Sequence, residues 1–176
     1  DLKPQGALNE DLLNSKEGIE LLITSAYSAL QGPNRDMMWV PMTNWTYGEV
    51  RSDNAYKGGS SITDGGDINQ METFVIDATW GNADSKWYQL YCCLQRANEA
   101  LRILNTMSEA DMPELTVRKA EMKVIRAHFY FELCRLFKQI PYLDETIDQE
   151  TYKNIPNNQF SREEILDKIA TDLLEA

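Results

Sequence analysis

In a helix expected from about Glu114 to Lys138, the part beyond Val124 is apolar on nearly every side, through Ile125, Ala127, Phe129, Tyr130, Phe131, Leu133, Cys134, Leu136 and Phe137. A helix that is apolar nearly all round beyond Val124 has to be covered from more than one direction. The rest of the sequence supplies the cover. Residues 15–31 set Ile19, Leu22, Ile23, Ala26, Tyr27 and Leu30 along one side of a helix that Gly32-Pro33 stops. From about Asp84 to Asn105, Trp87, Leu90, Tyr91, Leu94, Ala97, Leu101 and Leu104 form a single stripe. Ser161-Arg162-Glu163-Glu164 fits the S-x-x-E capping box and opens a helix carrying Ile165, Leu166, Ile169, Leu173 and Leu174. The expectation is an all-α fold with helices near 15–31, 84–105, 114–138 and 161–176 packed as antiparallel pairs. An irregular excursion spans 32–76. Ile140-Pro141 ends the third helix, because proline disfavours helical geometry in the residue before it.

Polar residues inside these apolar patterns need partners. Asn98 falls within the second stripe, and a buried amide there ties its helix to a neighbouring loop or helix end. Arg126 projects among Tyr130, Leu133 and Phe137, where a guanidinium requires an acidic or carbonyl partner; it reads as structural. Glu121, His128, Glu132 and Arg135 share a narrow polar stripe, so His128 reads as a solvated or paired surface residue. Cys92, Cys93 and Cys134 lie in apolar helical patterns without C-x-x-C spacing and read as core thiols.

Several chemistries are excluded. One histidine in 176 residues rules out a two-histidine metal site within this chain, and the phosphate-binding and nucleophile-elbow glycine motifs are absent. Nothing pairs a nucleophile with a base, so no enzyme and no cofactor are expected. A net charge of −11 repels phosphate backbones and anionic headgroups, which disfavours nucleic acid and a polybasic membrane patch. No stretch of about 18 apolar residues is present to span a bilayer.

The excursion carries the candidate chemistry. It holds six of the nine glycines, yet Trp39, Trp45, Tyr47 and Tyr56 argue against disorder. Sugars offer flat C–H faces and adjacent hydroxyls, which aromatic rings and planar polar side chains recognise. The 32–80 region interleaves Trp39, Trp45, Tyr47, Tyr56 and Trp80 with Asn44, Arg51, Asp53, Asn54 and Asp64. The alternative for Trp39 and Trp45, and less so for Tyr56, is that the ring only seals the loop onto the helices. Candidate ligand-binding residues are Trp45, Arg51, Asp53, Asn54 and Tyr56, with Tyr56 or Trp45 as the stacking platform. Asp64-Gly65-Gly66-Asp67-Ile68-Asn69 with Glu72 offers oxygen donors to Ca²⁺ but lacks EF-hand spacing, and a solvated turn is the competing reading.

Several segments, in order, resemble the SusD/RagB family of surface nutrient-binding lipoproteins. Asp1-Leu2-Lys3-Pro4 resembles the family's start after its lipid-bearing cysteine, and the helix ending Ala26-Tyr27-Ser28-Ala29-Leu30 follows. Glu49-Val50-Arg51-Ser52-Asp53 resembles a short E-x-x-x-D signature, and Trp87 through Leu101 resembles the W-x-x-L-Y…A-N-x-x-L helix. Ala120-Glu121, Arg126-Ala127, Tyr130-Phe131 and Ile140-Pro141 resemble the A-E…R-A…Y-F…V-P helix, and Ser161 to Ala176 the capped helix ending D-L-L-x-A. Lys138-Gln139 stands where the family usually has a glycine.

The resemblance implies tetratricopeptide-repeat-like helix pairs carrying loop insertions that build a ligand surface; no 34-residue repeat is visible in the sequence itself. It implies a glycan ligand, a TonB-dependent SusC-like transporter as partner, and an outer-membrane, cell-surface location held by an N-terminal lipid. In glycan-binding relatives an aromatic shortly after the E-x-x-x-D signature contacts sugar, and Tyr56 is the nearest here. Family members are much longer, so residues 1–176 are expected to be the N-terminal portion of a SusD-like domain. Two other functions stay open: a binder of peptides or another nutrient on the same fold, and a helical protein-interaction scaffold.

Overall fold

The computed structural model describes residues 15–31, 44–148 and 150–176, and every regular element among them is helical. In chain order these are α1 (Lys16–Ala29), a π-helical turn (Thr46–Val50), α2 (Gly66–Glu72), α3 (Gly81–Leu104), α4 (Leu115–Leu136), a 3₁₀ turn (Tyr152–Asn154) and α5 (Arg162–Glu175). Among the described residues no helix is long and apolar enough to cross a membrane.

Side-chain register fixes the helix directions. Trp87 near the start of α3 packs edge-on to Phe137 just past the end of α4, while Asn98 further along α3 meets Arg126 further back in α4. Steps taken in opposite directions mean antiparallel packing. The same holds for α4 and α5, through Arg126 with Asp172 and Lys123 with Glu175, and for α1 and α3, where Cys93 lies on Ala29 and Arg96 on Ser25. Successive antiparallel helices make the tetratricopeptide-like all-α architecture. Its core joins Ile19, Ile23 and Ala26 of α1, Leu90, Leu94 and Leu101 of α3, Met122, Phe129 and Leu133 of α4, and Ile165 and Ile169 of α5. The apolar α4 thus receives cover from α1, α3 and α5.

Polar groups weld the segment after α4 onto this frame. Phe137 turns extended at φ −120° and ψ 140°, so α4 stops at Leu136, short of Ile140-Pro141, and the ring reaches Trp87 at 4.9 Å. The Tyr91 hydroxyl donates to the Pro141 carbonyl at 2.8 Å, and Asn98 Nδ2 donates to the Leu143 carbonyl at 2.8 Å. Tyr130 Oη donates to the Leu143 carbonyl at 2.7 Å and accepts from its N–H at 2.6 Å. Asn98 therefore does what its position in an apolar stripe demanded. Arg126 is buried and grips Asp172 with two hydrogen bonds of 2.6 and 2.7 Å, with Glu145 as a further partner. Burial works against its charge, but the Asp172 bonds outweigh that and hold the guanidinium protonated.

The α5 capping box forms as the sequence indicates: Ser161 Oγ accepts from Glu164 N at 3.2 Å and the Glu164 carboxylate accepts from Ser161 N at 2.7 Å. His128 is exposed, whereas Glu132 on the same stripe is buried. Cys93 and Cys134 are buried; Cys92 is only half-buried.

Candidate functional site

The excursion is moored at Asn44. Its Nδ2 donates to Glu132 Oε2 at 2.8 Å, and its Oδ1 accepts from Lys86 Nζ at 3.2 Å. Lys86 is almost fully buried and sits 5.4 Å from the Tyr47 ring centre. Burial pulls the ammonium down to about 8, against the opposing charge of Glu132. From this mooring the chain enters the π-helical turn, whose widening is visible at the Trp45 carbonyl: it accepts from both Glu49 N at 2.9 Å and Val50 N at 3.0 Å. Thr46 and Val50 face inward, and Trp45 is left 38% exposed.

Arg51 ends the turn and is already engaged. Its guanidinium lies 4.5 Å from the Phe74 ring centre and its Nη1 donates to Met71 Sδ at 3.2 Å. Asp53 takes a left-handed conformation at φ 62°, which Asp tolerates better than most residues, and Asp53 and Asn54 are both exposed. Tyr56 follows at 68% exposed. Just beyond, the Lys57 ammonium donates to the carbonyls of Gly58, Ser61 and Asp64 at 2.9, 2.9 and 2.7 Å, rolling residues 57–64 into a closed loop. Gly59, at φ 85°, permits that closure, since a Cβ there would stand 2.6 Å from Asp64 Oδ2. The loop is latched to α2 by Lys57 N donating to Glu72 Oε2 at 3.3 Å.

The five candidate residues therefore lie along one tied-down stretch, with Asp53, Asn54 and Tyr56 presenting side chains to solvent and Arg51 turned to the packing of Phe74. Trp39 lies outside the described residues, as do Asp1–Pro4 and Gly32-Pro33. The oxygen donors considered for Ca²⁺ are dispersed: the Asp64 carboxylate accepts from Ser60 N, and Asp67 Oδ2 accepts from Asn82 Nδ2 at 2.6 Å. Among the described residues no cluster of three or more His, Cys, Asp or Glu is placed to hold a metal.

Tyr47 and Trp80 belong to the sealing role. Their rings meet edge to face at 5.9 Å, and Tyr47 Oη donates to the Asn82 carbonyl at 2.8 Å. Burial, then the charge of Asp67, pushes the Tyr47 hydroxyl well above its ordinary range. Trp80 is buried, and its Nε1 has no hydrogen-bond partner among the described residues. Beside it, a polar hollow of about 380 Å³ is lined by Asp67, Gln70, Asp77, Thr79 and Asn82.

Sequence reasoning missed Phe74. It adopts φ 60°, a conformation that costs a bulky residue of order 1–3 kcal/mol, and stands 59% exposed above Arg51. Nothing local marks it, because its position depends on the turn that ends α2 and on an arginine far back in the chain.

Compared with protein-family models, the whole chain, residues 1–176, matches the SusD-like family, described as starch-binding and associating with the outer membrane. A search of curated proteins finds no match.

Proposed function

The chain belongs to the SusD-like family, whose members bind rather than catalyse, and from that premise we propose that it captures oligo- or polysaccharide at the cell surface. It then delivers the glycan to a TonB-dependent SusC-like outer-membrane transporter while held to the membrane by an N-terminal lipid. Delivery and anchoring rest on the family. The location of the ligand rests on one observation: Tyr56 stands 68% exposed on a stretch that Arg51, Lys57 and Glu72 otherwise tie down. A ring held on an ordered loop without a packing task is a platform whose ordering cost is already met. Asp53 and Asn54 lie beside it as hydroxyl partners, Trp45 is the second candidate platform, and Arg51 holds the Phe74 side of the face.

The test is titration calorimetry of the complete protein against ligands picked from a glycan array. Replacing Trp45 and Tyr56 together with Ala is expected to weaken binding by about 1–3 kcal/mol, the usual loss for central aromatic contacts. Unchanged affinity in a folded double variant removes this face from the site. An array without any glycan ligand, alongside binding to peptides, replaces the nutrient class.

A further inference from the structure

A second aromatic surface lies on α3, away from the excursion's candidate residues. Trp87, Tyr88 and Tyr91, with Tyr152 across from them, line a groove of about 650 Å³, within the roughly 300–1,000 Å³ usual for small-molecule sites. Its floor is rigid. Trp87 is wedged between Tyr91 and Phe137, each ring centre 4.9 Å away, and Tyr91 is pinned through its hydroxyl to Pro141. Its rims are open, with Tyr88 61% and Tyr152 40% exposed. Gln95 and Arg96 supply polar edges, and Arg96 is held in place by Nη1 donating to the Ser25 carbonyl and to Ser28 Oγ, both at 3.1 Å.

Charge narrows the occupant. On a chain of net charge −11 the groove walls carry no carboxylate to anchor a cation, and their one charged side chain, Arg96, already donates to Ser25 and Ser28. Flat apolar faces, phenol hydroxyls and planar polar donors are the complement of a pyranose, with its C–H face and its ring of hydroxyls. Resting on the glycan-binding reading, we infer that the α3 groove is a second carbohydrate site, which takes a neutral oligosaccharide independently of the Trp45–Tyr56 face.

Cys92 provides a local reporter. It lines the groove and is half-buried, whereas Cys93 and Cys134 are buried. The experiment follows iodoacetamide labelling of Cys92 by peptide mass spectrometry in the complete protein, with and without maltoheptaose, alongside calorimetry. At maltoheptaose about ten times above Kd, labelling of Cys92 is expected to slow about tenfold by mass action. That protection should vanish in a Tyr88→Ala/Tyr152→Ala variant and persist in Tyr56→Ala. Calorimetric binding without protection of Cys92, or protection that survives Tyr88→Ala/Tyr152→Ala, overturns the groove site and leaves the glycan reading standing. No binding of maltoheptaose or of any neutral oligosaccharide on an array overturns the glycan reading, and the groove site with it.

Discussion

Lys86 shows how one residue sets the terms for the loop above it. Its ammonium is buried against Tyr47, hydrogen-bonded to Asn44 and faced by Glu132 and Arg135 of α4. With its titration lowered from 10.5 to about 8, the folded protein loses this proton before the unfolded chain does. Below pH 8 both states are charged, and folding carries the full cost of burying the ammonium. As pH rises from about 8 towards 10.5 the unfolded state binds more protons, so this group's contribution to stability increases. Cys93, raised by burial to about 12, pulls the other way over the same range, because an unfolded thiol ionises at about pH 8.5. Cys93 is common to wild type and to Lys86→Met, so the difference between the two proteins isolates the lysine. Wild type should gain about 1 kcal/mol relative to Lys86→Met from about pH 8 to about pH 9 in urea titrations. A parallel pH dependence of the two proteins would show that Lys86 titrates near its ordinary value.

Among elements, the four long helices were legible because three carry a 3.6-residue apolar stripe and α4 is apolar nearly all round beyond Val124, and Asn98 and Arg126 because a polar residue among apolar ones has to be answered. The rest was hidden in long-range packing. The start of α3 at Gly81 follows from Trp80 being buried against Tyr47, and Gly-Asn carries little helical signal of its own. Within the excursion, α2 and the π-helical turn are too short to announce a period. The turn is supported across 88 residues of sequence by Glu132. Trp87 and Tyr91 read as core stripe, and only Pro141, Leu143 and Tyr152 beside them make a groove. The mooring at Asn44 has a measurable consequence. Asn44→Ala removes hydrogen bonds to two charged groups, Glu132 and Lys86, each worth about 1.5–3 kcal/mol, and should raise amide hydrogen exchange at Glu49 and Val50 by about tenfold or more. Exchange in the middle of α3 and α4 should stay as in wild type. Equal loosening of the helices would mean that the excursion and the scaffold open as one unit.

At the scale of the whole molecule, 28 acidic residues face 17 basic ones, and the imbalance acts on folding and on binding in different ways. The most buried ion pair, Arg126 with Asp172, is shielded from salt, whereas pairs such as Arg102–Glu99 and Arg118–Glu20 are exposed enough to be worth only about 0–1 kcal/mol each. Against pairs of that size, mutual repulsion among the excess carboxylates is expected to be the larger salt-sensitive contribution. Raising ionic strength from 0.01 to 0.15 M shortens the Debye length from about 30 to about 8 Å and screens that repulsion. If the relief amounts to about 1 kcal/mol, Tm should rise by about 2–4 °C for a chain of this size. A neutral glycan held by ring faces and hydroxyl hydrogen bonds gains nothing from the same screening, so its affinity should stay flat over that range while Tm moves. A falling Tm would show that the exposed ion pairs outweigh the repulsion. An affinity that dropped steeply with salt would point to a charged ligand, and so away from the uncharged sugar chemistry of both aromatic surfaces.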